Sequence, residues 1–379
     1  MQLALAFLLL AQETPAPSLE DHVRYLTGDE CAGRETGTEG EKKAAAYLER
    51  ELKRWKIETS VAEFRGHGTT GRNVIGVVPG SGSDEAIVVG AHYDHLGTSD
   101  KGICRGADDN ASGTSVVLEV ARRLASRPAK RAVVIAFFSG EEMGVLGSRA
   151  YVTKPAVPLE KTVAMINLDM VGRLGSKLIV FGVDSGDKFQ EYLDESPLRI
   201  VTKADPIGPS DHTSFYVKGV PAVHVFTGSH KDWHKPSDTP DKLNLEGMRL
   251  VAYEVERLAR RIADAPERMA YRKVDGAAPL PGGPRPGGTP YLGLMPDYGF
   301  EGKGVRLAGV APGSPAEKAG LAEGDVILAM DGKECAEVKA YSALFFAKRP
   351  GDEVTLTVDR KGKATPVKVV LGEKRKSDE

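Results

Sequence analysis

Hydrophobic positions follow two periodicities between about residue 40 and residue 262. Helical spacing puts Ala44, Leu48, Leu52 and Trp55 on one face of a predicted helix, and further helices are predicted over residues 112–126 and 245–262. Apolar and β-branched runs predict strands over residues 73–78, 86–91, 131–138, 161–168, 178–181 and 221–226. This alternation indicates an α/β domain, residues 12–265, with a mainly parallel mixed sheet flanked by helices.

The chain changes character after this region. Residues 266–290 are rich in Pro and Gly and predict a linker. Residues 291–372 predict a small second domain, with short strands over 305–310, 326–330, 354–358 and 367–371 and a helix over 341–348. A length of about 80 residues is sufficient for an independent domain. Residues 373–379 are a charged tail.

Composition narrows the possible partners and the compartment. A formal net charge of −2 gives no reason to expect nucleic acid or an anionic membrane as partner. Residues 3–11 are apolar but too short to span a bilayer, and no later segment predicts an integral membrane span. We interpret residues 1–11 as a signal peptide and expect an exported protein, the alternative being a frayed terminus. Cys31, Cys104 and Cys335 form no metal-binding pair and no disulfide framework.

Five polar residues at the ends of apolar runs suggest a metal centre. They are His92, Asp109, Glu142, Asp169 and His234. Two imidazoles and three carboxylates are the ligand set that two adjacent zinc ions require. Two Zn²⁺ carry a charge of +4 and three carboxylates a charge of −3, so the remainder suits a bridging hydroxide ready to attack a carbonyl.

Each of these segments also has a simpler interpretation. His92 and Asp94 point to the same side of an extended chain, so Asp94 can orient the imidazole, but a surface turn with a His–Asp pair fits equally well. Residues 106–113 are also an ordinary helix start, and their spacing does not choose between Asp108 and Asp109. Glu141 and Glu142 are compatible with a helix N-terminus. Alternatively, one of them binds metal and the other acts as a general base.

With these segments assembled, residues 34–263 resemble the M28 family of zinc aminopeptidases with two metal ions. The matching motifs occupy residues 91–94, 106–113, 139–142, 167–170, 210–212 and 233–239, and residues 33–38 are similar to the family's N-terminal signature. The resemblance implies a di-zinc exopeptidase acting on peptide substrates. It further implies that cleavage proceeds through a metal-bound hydroxide and a Glu general base.

The resemblance also implies individual roles. Asp109 would bridge the metals, with His92 and Asp169 completing one site and Glu142 and His234 the other. Glu141 would be the general base and Asp94 the partner of His92, whereas His95 is taken as a bystander. The Asp109–Asn110 peptide bond is expected to be cis. Asp211 and His212 are assigned supporting or loop-capping roles. The sequence departs from one subgroup at Trp233, where those relatives carry a carbonyl-polarising Tyr.

The C-terminal segment resembles a bacterial PDZ domain, a partly open β-barrel with helices. Residues 291–294, which include Leu292, Gly293 and Leu294, match its carboxylate-binding loop, and residues 310–321 and 324–327 match the segments that follow. The resemblance implies a C-terminal peptide ligand in this groove, unless the groove is filled by its own chain.

Three other functions remain alternatives at this stage. Glutaminyl cyclisation uses a similar scaffold with one zinc, and the metal centre by itself does not exclude a carboxypeptidase or dipeptidase. A non-enzymatic peptide-binding protein is the third. The intact five-residue set favours the aminopeptidase.

Overall fold

The computed structural model describes residues 16–274 and 288–373. The predicted signal peptide, most of the charged tail and the central part of the predicted linker lie outside the described residues. None of the described helices is long and apolar enough to cross a bilayer. In this part of the chain all three cysteines are buried and free.

Helices and strands alternate along the first domain. The helices are α1 (Leu19–Leu26), α2 (Glu39–Arg54), α3 (Gly113–Ser126), α4 (Leu146–Thr153), α5 (Phe189–Asp194), α6 (His212–Tyr216) and α7 (Leu245–Asp264). The strands are β1 (Glu58–Gly66), β2 (Thr69–Val78), β3 (Ala86–His92), β4 (Thr98–Ser99), β5 (Gly102–Ile103), β6 (Ala132–Phe138), β7 (Thr162–Leu168), β8 (Leu178–Phe181), β9 (Ile200–Lys203) and β10 (Ala222–Phe226).

Eight of these strands form one mixed sheet, in the order β1-β2-β6-β3-β7-β10-β8-β9. Strands β6, β3, β7 and β10 are parallel to their neighbours within this group, whereas β1, β2 and β8 supply the antiparallel pairs. Every residue of β3 and β7 is buried, because helices cover both faces of the sheet. The predicted α/β fold with a mixed sheet is therefore confirmed.

Local sequence signals explain where the main helices begin. Thr38 Oγ1 accepts a hydrogen bond from the Glu41 N–H at the start of α2. Asn244 Oδ1 accepts one from the Gly247 N–H at the start of α7. Both helices bury an apolar face in the core that also takes α3 and one face of the sheet. The sequence pattern predicts neither α1, which has only eight residues, nor β1, which has no buried residue.

The predicted linker boundary at residue 266 is wrong. Met269 is buried in the core of the first domain, and Tyr271 forms a β-bridge with Gly186. Arg268 Nη1 also donates a hydrogen bond to Glu85 Oε1. Residues 266–274 thus pack on the first domain, because a few anchoring side chains outweigh the polar composition of the segment.

The C-terminal domain has its own sheet and core. Its strands are β11 (Pro290–Tyr291), β12 (Leu294–Pro296), β13 (Val305–Val310), β14 (Val326–Met330), β15 (Lys333–Glu334), β16 (Glu353–Arg360), β17 (Lys363–Val370) and β18 (Gly372–Glu373), and its helices are α8 (Pro315–Lys318) and α9 (Val338–Phe346). The main sheet runs β12-β13-β14-β16-β17, so β12 and β17 are its edges. The helix predicted over residues 341–348 starts three residues earlier than expected.

A buried histidine links the stability of the first domain to pH. Burial lowers the pKa of His22 from 6.5 to about 4, although the charge of Glu51 opposes the shift. The unfolded chain therefore binds a proton more readily than the folded one, and stability falls as the pH drops from about 6.5 towards 4. We expect the free energy of unfolding to lose about 2–3 kcal/mol from this group between pH 7.5 and pH 4.5.

Chemical denaturation at the two pH values measures this loss. The His22→Gln variant lacks the titrating group, so its stability should depend less on pH by that amount. His67→Gln, at an exposed turn position, is the matched control and should behave like the unchanged protein. Parallel pH profiles for His22→Gln and the unchanged protein would contradict the assignment.

Candidate metal centre

The carboxyl ends of three neighbouring strands carry most of the predicted site. His92 is the last residue of β3, Glu141 and Glu142 follow β6, and Asp169 directly follows β7. Strand β3 lies between β6 and β7 and is parallel to both. Their carboxyl ends therefore meet at one edge of the sheet, where open α/β sheets place their ligands.

The structure brings all five predicted metal ligands together around Asp109. Its Oδ1 lies 3.4 Å from His92 Nε2, and its Oδ2 lies 3.1 Å from His234 Nε2. Asp169 Oδ1 is 3.3 Å from His92 Nε2, and Glu142 Oε2 is 3.1 Å from His234 Nε2. The two oxygens of Asp109 thus face two separate His–carboxylate pairs.

Two separate groups of side chains could each hold a cation. One comprises His92, Glu141 and Asp169, and the other comprises His95, Asp109 and Glu142. Within each group the ligand atoms lie within 4.8 Å of one another. Imidazole nitrogens combined with carboxylate oxygens are a donor set that fits zinc.

The charges at the site also favour a cation. Burial opposes protonation of His234, but Glu142 and Asp109 outweigh it and raise the pKa of this imidazole to about 10. Burial raises the pKa of Glu141 well above its usual range, and the nearby charges of Asp169 and Glu142 add to the shift. The excess of carboxylates therefore attracts positive charge, whether protons or metal ions.

His95, taken from the sequence as a bystander, lies within the site. Its Nδ1 lies 2.7 Å from Glu142 Oε1, and its ring is packed edge-on against the His234 ring at 5.8 Å. No hydrogen-bond partner reaches the buried Nε2 of His95 within the described residues. Its position three residues after the end of β3 gives no periodicity from which this contact could be predicted.

Asp94 faces His92 and also holds the turn that carries Glu141 and Glu142. Its carboxylate accepts hydrogen bonds from the backbone N–H of Glu141 at 3.2 Å and of Glu142 at 3.4 Å. Thr36 Oγ1 donates a third at 2.9 Å. His92 Nδ1 is 3.7 Å from Asp94 Oδ1 and 3.3 Å from the Asp94 backbone oxygen. The carboxylate therefore fixes both neighbouring acids relative to the histidine.

The turn that carries Asp109 is held by a buried aspartate that the sequence analysis did not single out. Asp238 Oδ2 accepts hydrogen bonds from the N–H groups of Asp108 and Asp109, at 2.8 Å and 3.1 Å. Arg173 Nη2 donates to the other Asp238 oxygen at 2.8 Å. The Asp109–Asn110 peptide bond is cis, which confirms the expectation.

A second buried group ties this turn to the neighbouring segments. The Arg34 guanidinium is fully buried and donates to the backbone oxygens of Tyr93, Leu26, Arg105 and Gly106. Its four acceptors come from α1, from the end of β3 and from the turn before Asp109. Because a buried charge requires such partners, Arg34 fixes these segments against each other.

Asp211 and His212 lie deep in the protein behind the acids. Burial raises the pKa of Asp211 to about 7 and lowers the pKa of His212 well below its usual range. Asp211 precedes α6, but its side chain makes no capping hydrogen bond at the start of that helix. The His212 ring instead stacks on His224 at 4.8 Å.

Trp233 occupies the position at which the sequence departs from the subgroup expected to carry a carbonyl-polarising Tyr. Its side chain remains 38% exposed, and its ring lies 3.9 Å from the His234 ring. The indole thus packs against a candidate metal ligand at the mouth of the site.

The contacts of Asp94 generate a prediction about metal affinity. Asp94→Ala removes the acceptor that holds the N–H groups of Glu141 and Glu142, so we expect zinc affinity to fall by about 10- to 100-fold. Competition with a fluorescent chelator measures the affinity. Asp84→Ala, which removes an exposed partner of Lys161, is the control and should bind zinc as before. An unchanged affinity for Asp94→Ala would show that the carboxylate does not organise the site.

Comparisons with known proteins agree with this geometry. Residues 73–259 match the sequence model of peptidase family M28, and residues 289–371 match that of the PDZ domain. The chain is 29% identical over 228 residues to leupeptin-inactivating enzyme 1 from Streptomyces exfoliatus, a match covering 57% of this chain and 50% of the relative. It is 32% identical over 193 residues to aminopeptidase YwaD from Bacillus subtilis, covering 47% and 41%. The chain thus spans about half the length of these curated relatives.

Solved structures share the fold of the first domain. BSAP, a zinc aminopeptidase from Bacillus subtilis, superposes with a TM-score of 0.56 at 18% identity, covering 63% of this chain and 93% of that one. The aminopeptidase from Aneurinibacillus sp. strain AM-1 gives a TM-score of 0.56 at 19% identity, covering 68% and 96%. From its sequence and its fold together, the chain carries a peptidase family M28 domain followed by a PDZ domain.

Proposed function

We propose that this protein is a zinc aminopeptidase that binds two zinc ions per chain and removes N-terminal residues from peptides. The observation that carries the proposal is the position of Asp109, whose two carboxylate oxygens face His92 and His234 separately. Asp169 belongs with His92 and Glu142 with His234. One bridging carboxylate with a His–carboxylate pair on each side is a suitable ligand set for two adjacent metals.

The family of the first domain supports the same reaction. Its relatives include proteins named as aminopeptidases, and the structures that share its fold include zinc aminopeptidases. Since none of the five ligand positions is missing, the site has what such a reaction requires.

Glu141 is the proposed general base. Bound zinc supplies a Lewis acid, which polarises a carbonyl and makes water easier to deprotonate. The Glu141 carboxylate takes the proton from the attacking water and delivers it to the leaving amine. Burial and neighbouring charges raise the pKa of Glu141, which suits a group that must both accept and release a proton.

The hydrogen bonds around the acids support this division of roles. Asp94 fixes the backbone of both acids, so Glu142 can face His234 while Glu141 stays beside His92 and Asp169. The buried Asp238 and Arg34 keep the Asp109 turn in place. Such rigid support is what positions reacting groups for catalysis.

We also propose that the protein is exported, on the basis of the apolar segment at residues 3–11. The PDZ domain is proposed to bind the C-terminal carboxylate of a peptide at the loop formed by Leu292, Gly293 and Leu294.

The aminopeptidase proposal predicts that cleavage requires a free amino terminus and Glu141. With zinc supplied, peptides with a free N-terminus should lose one residue at a time, whereas acetylated copies should remain intact. Glu141→Ala should retain its zinc and lose about 10²- to 10⁴-fold in kcat, because proton transfer typically contributes that much. Mass spectrometry of the products and the zinc content of the variant provide the two measurements.

Glu142→Ala is the matched control, because it changes the neighbouring acid and should lose zinc as well as activity. Equal cleavage of free and acetylated peptides would indicate a carboxypeptidase or an endopeptidase instead. Cleavage of neither peptide would favour a glutaminyl cyclase or a binding protein. Loss of zinc from Glu141→Ala would make Glu141 a ligand and contradict its role as base.

A further inference from the structure

The PDZ domain offers a free strand edge beside a set of backbone amides. Within the described residues, β12 pairs with β13 alone and forms one edge of the domain's sheet. Leu292 and Gly293 lie just before this strand, and Gly293 has a positive φ of 80°. Their backbone oxygens accept hydrogen bonds from Ala316 and Ala311 at 2.9 Å and 2.8 Å, which fixes the loop. An edge strand of this kind can accept one more strand.

The opposite end of β12 lies against the peptidase domain. The segment after the strand places the Tyr298 ring 5.7 Å from the Phe181 ring and 6.0 Å from the Phe226 ring. Lys203 Nζ donates to the Phe300 backbone oxygen at 3.2 Å. Glu301 pairs with Arg199 at 2.8 Å and with Lys177 at 3.2 Å. Aromatic packing and ion pairs together therefore hold this end of the strand on the first domain.

Helix α9 meets the same domain through its first turn. Lys339 Nζ lies 3.1 Å from Asp205 Oδ2, in the loop that leads from β9 to Asp211. The same helix contributes Tyr341 and Phe345 to the PDZ core, which also contains Leu292. Residues 292–293 precede β12, whereas residues 298–301, which contact the first domain, follow it. The carboxylate-binding loop therefore lies at the end of β12 that is remote from the contact between the two domains.

The surface that receives β12 adjoins the metal centre. Phe226, Met170 and Ile179 form a small buried apolar cluster, and Tyr298 packs against it. Met170 directly follows Asp169, and its backbone oxygen accepts a hydrogen bond from Thr227, the residue after Phe226, at 3.0 Å. The side chains of Phe226 and Met170 thus lie between Tyr298 and Asp169, a candidate metal ligand.

These positions determine the direction of a bound peptide. A peptide whose carboxylate lies at the amides of Leu292 and Gly293 must run antiparallel to β12 to extend along the strand. Its earlier residues then pass Pro296 and reach Tyr298, at the boundary with the peptidase domain. The peptide's amino terminus therefore points towards the metal centre.

We propose that the PDZ domain binds the C-terminus of the peptidase's own substrate, so that one extended peptide occupies both sites of the same chain. The inference rests on the proposed function and adds a substrate class to it: peptides with a free C-terminal carboxylate and sufficient length. From Gly293 to Tyr298 an extended chain covers about 17 Å, at about 3.3 Å per residue. The peptide must extend beyond Tyr298 to reach the metal centre, so more than about five residues are needed.

Binding at two sites also has a kinetic consequence. Once the carboxylate is held, the amino terminus reaches the metal centre intramolecularly, at a high effective concentration. The gain disappears when the peptide is too short to span both sites. It also disappears as cleavage shortens the substrate, so the enzyme should slow once the peptide falls below the bridging length.

Four substrates with the same N-terminal residues test the proposal. They are a ten-residue peptide with a free C-terminal carboxylate, its C-terminal amide, and the corresponding five-residue acid and amide. With the zinc-loaded full chain, we expect KM for the ten-residue acid to be about tenfold lower than for its amide. The five-residue acid and amide should not differ.

Two variants locate the effect on the chain. Leu294→Glu places a negative charge beside the carboxylate-binding loop and should raise KM of the ten-residue acid to that of its amide. Val370→Glu adds the same charge to an exposed position of β17, at the opposite edge of the same sheet, and should leave the KM values of both ten-residue peptides unchanged.

The acid–amide comparison in the unchanged protein does not depend on how well a variant folds. Equal KM values for the ten-residue acid and amide would overturn the bridging proposal and leave the aminopeptidase intact. A difference of the same size in the five-residue pair would also overturn it, since those peptides cannot reach both sites. If none of the four peptides is cleaved, the proposed function itself fails, and the bridging proposal fails with it.

Discussion

The mutual repulsion of carboxylates at one sheet edge is the constraint on which the rest of the structure depends. Asp109, Glu141, Glu142 and Asp169 converge there, and because Asp109 is buried and the other three are partly buried, their negative charge is costly. His92 and His234 offset part of this charge, and positive ions would offset the rest. Hydrogen bonds to neighbouring side chains accordingly hold the backbone near these acids in place.

Buried side chains provide these hydrogen bonds at the turns that carry the acids. Asp238 binds the N–H groups of the Asp109 turn, and Asp94 binds those of the acids after β6. The Asn110 side chain joins the turn to the end of β7, because its Nδ2 donates to Leu168 and its Oδ1 accepts from Met170. Each strand end is thus connected to the next by hydrogen bonds that also set the positions of the ligands.

Much of this site could be predicted from the sequence, because the strands that carry it are continuous apolar runs. The ends of such runs are visible without a structure, and His92, Glu142 and Asp169 follow directly from them. The groups that hold the ligands in place are harder to predict. Asp238 and Arg173 form hydrogen bonds with residues far away in the sequence, and no local pattern reveals such contacts. Strand β1 has little apolar alternation, and its pairing with β2 was missed for that reason. The contact of Tyr298 with Phe226 depends on the docking of two domains, which periodicity within either one does not specify.

The proposal that Asp109 joins two metal sites is tested by the zinc content per chain. Mass spectrometry of the equilibrated protein should give about two zinc ions per chain, and about one for Asp169→Ala, which removes a ligand from one side only. Asp109→Ala should retain almost none, because both sites lose their shared carboxylate. A content of one zinc in the unchanged protein, or full retention by Asp109→Ala, would contradict the claim.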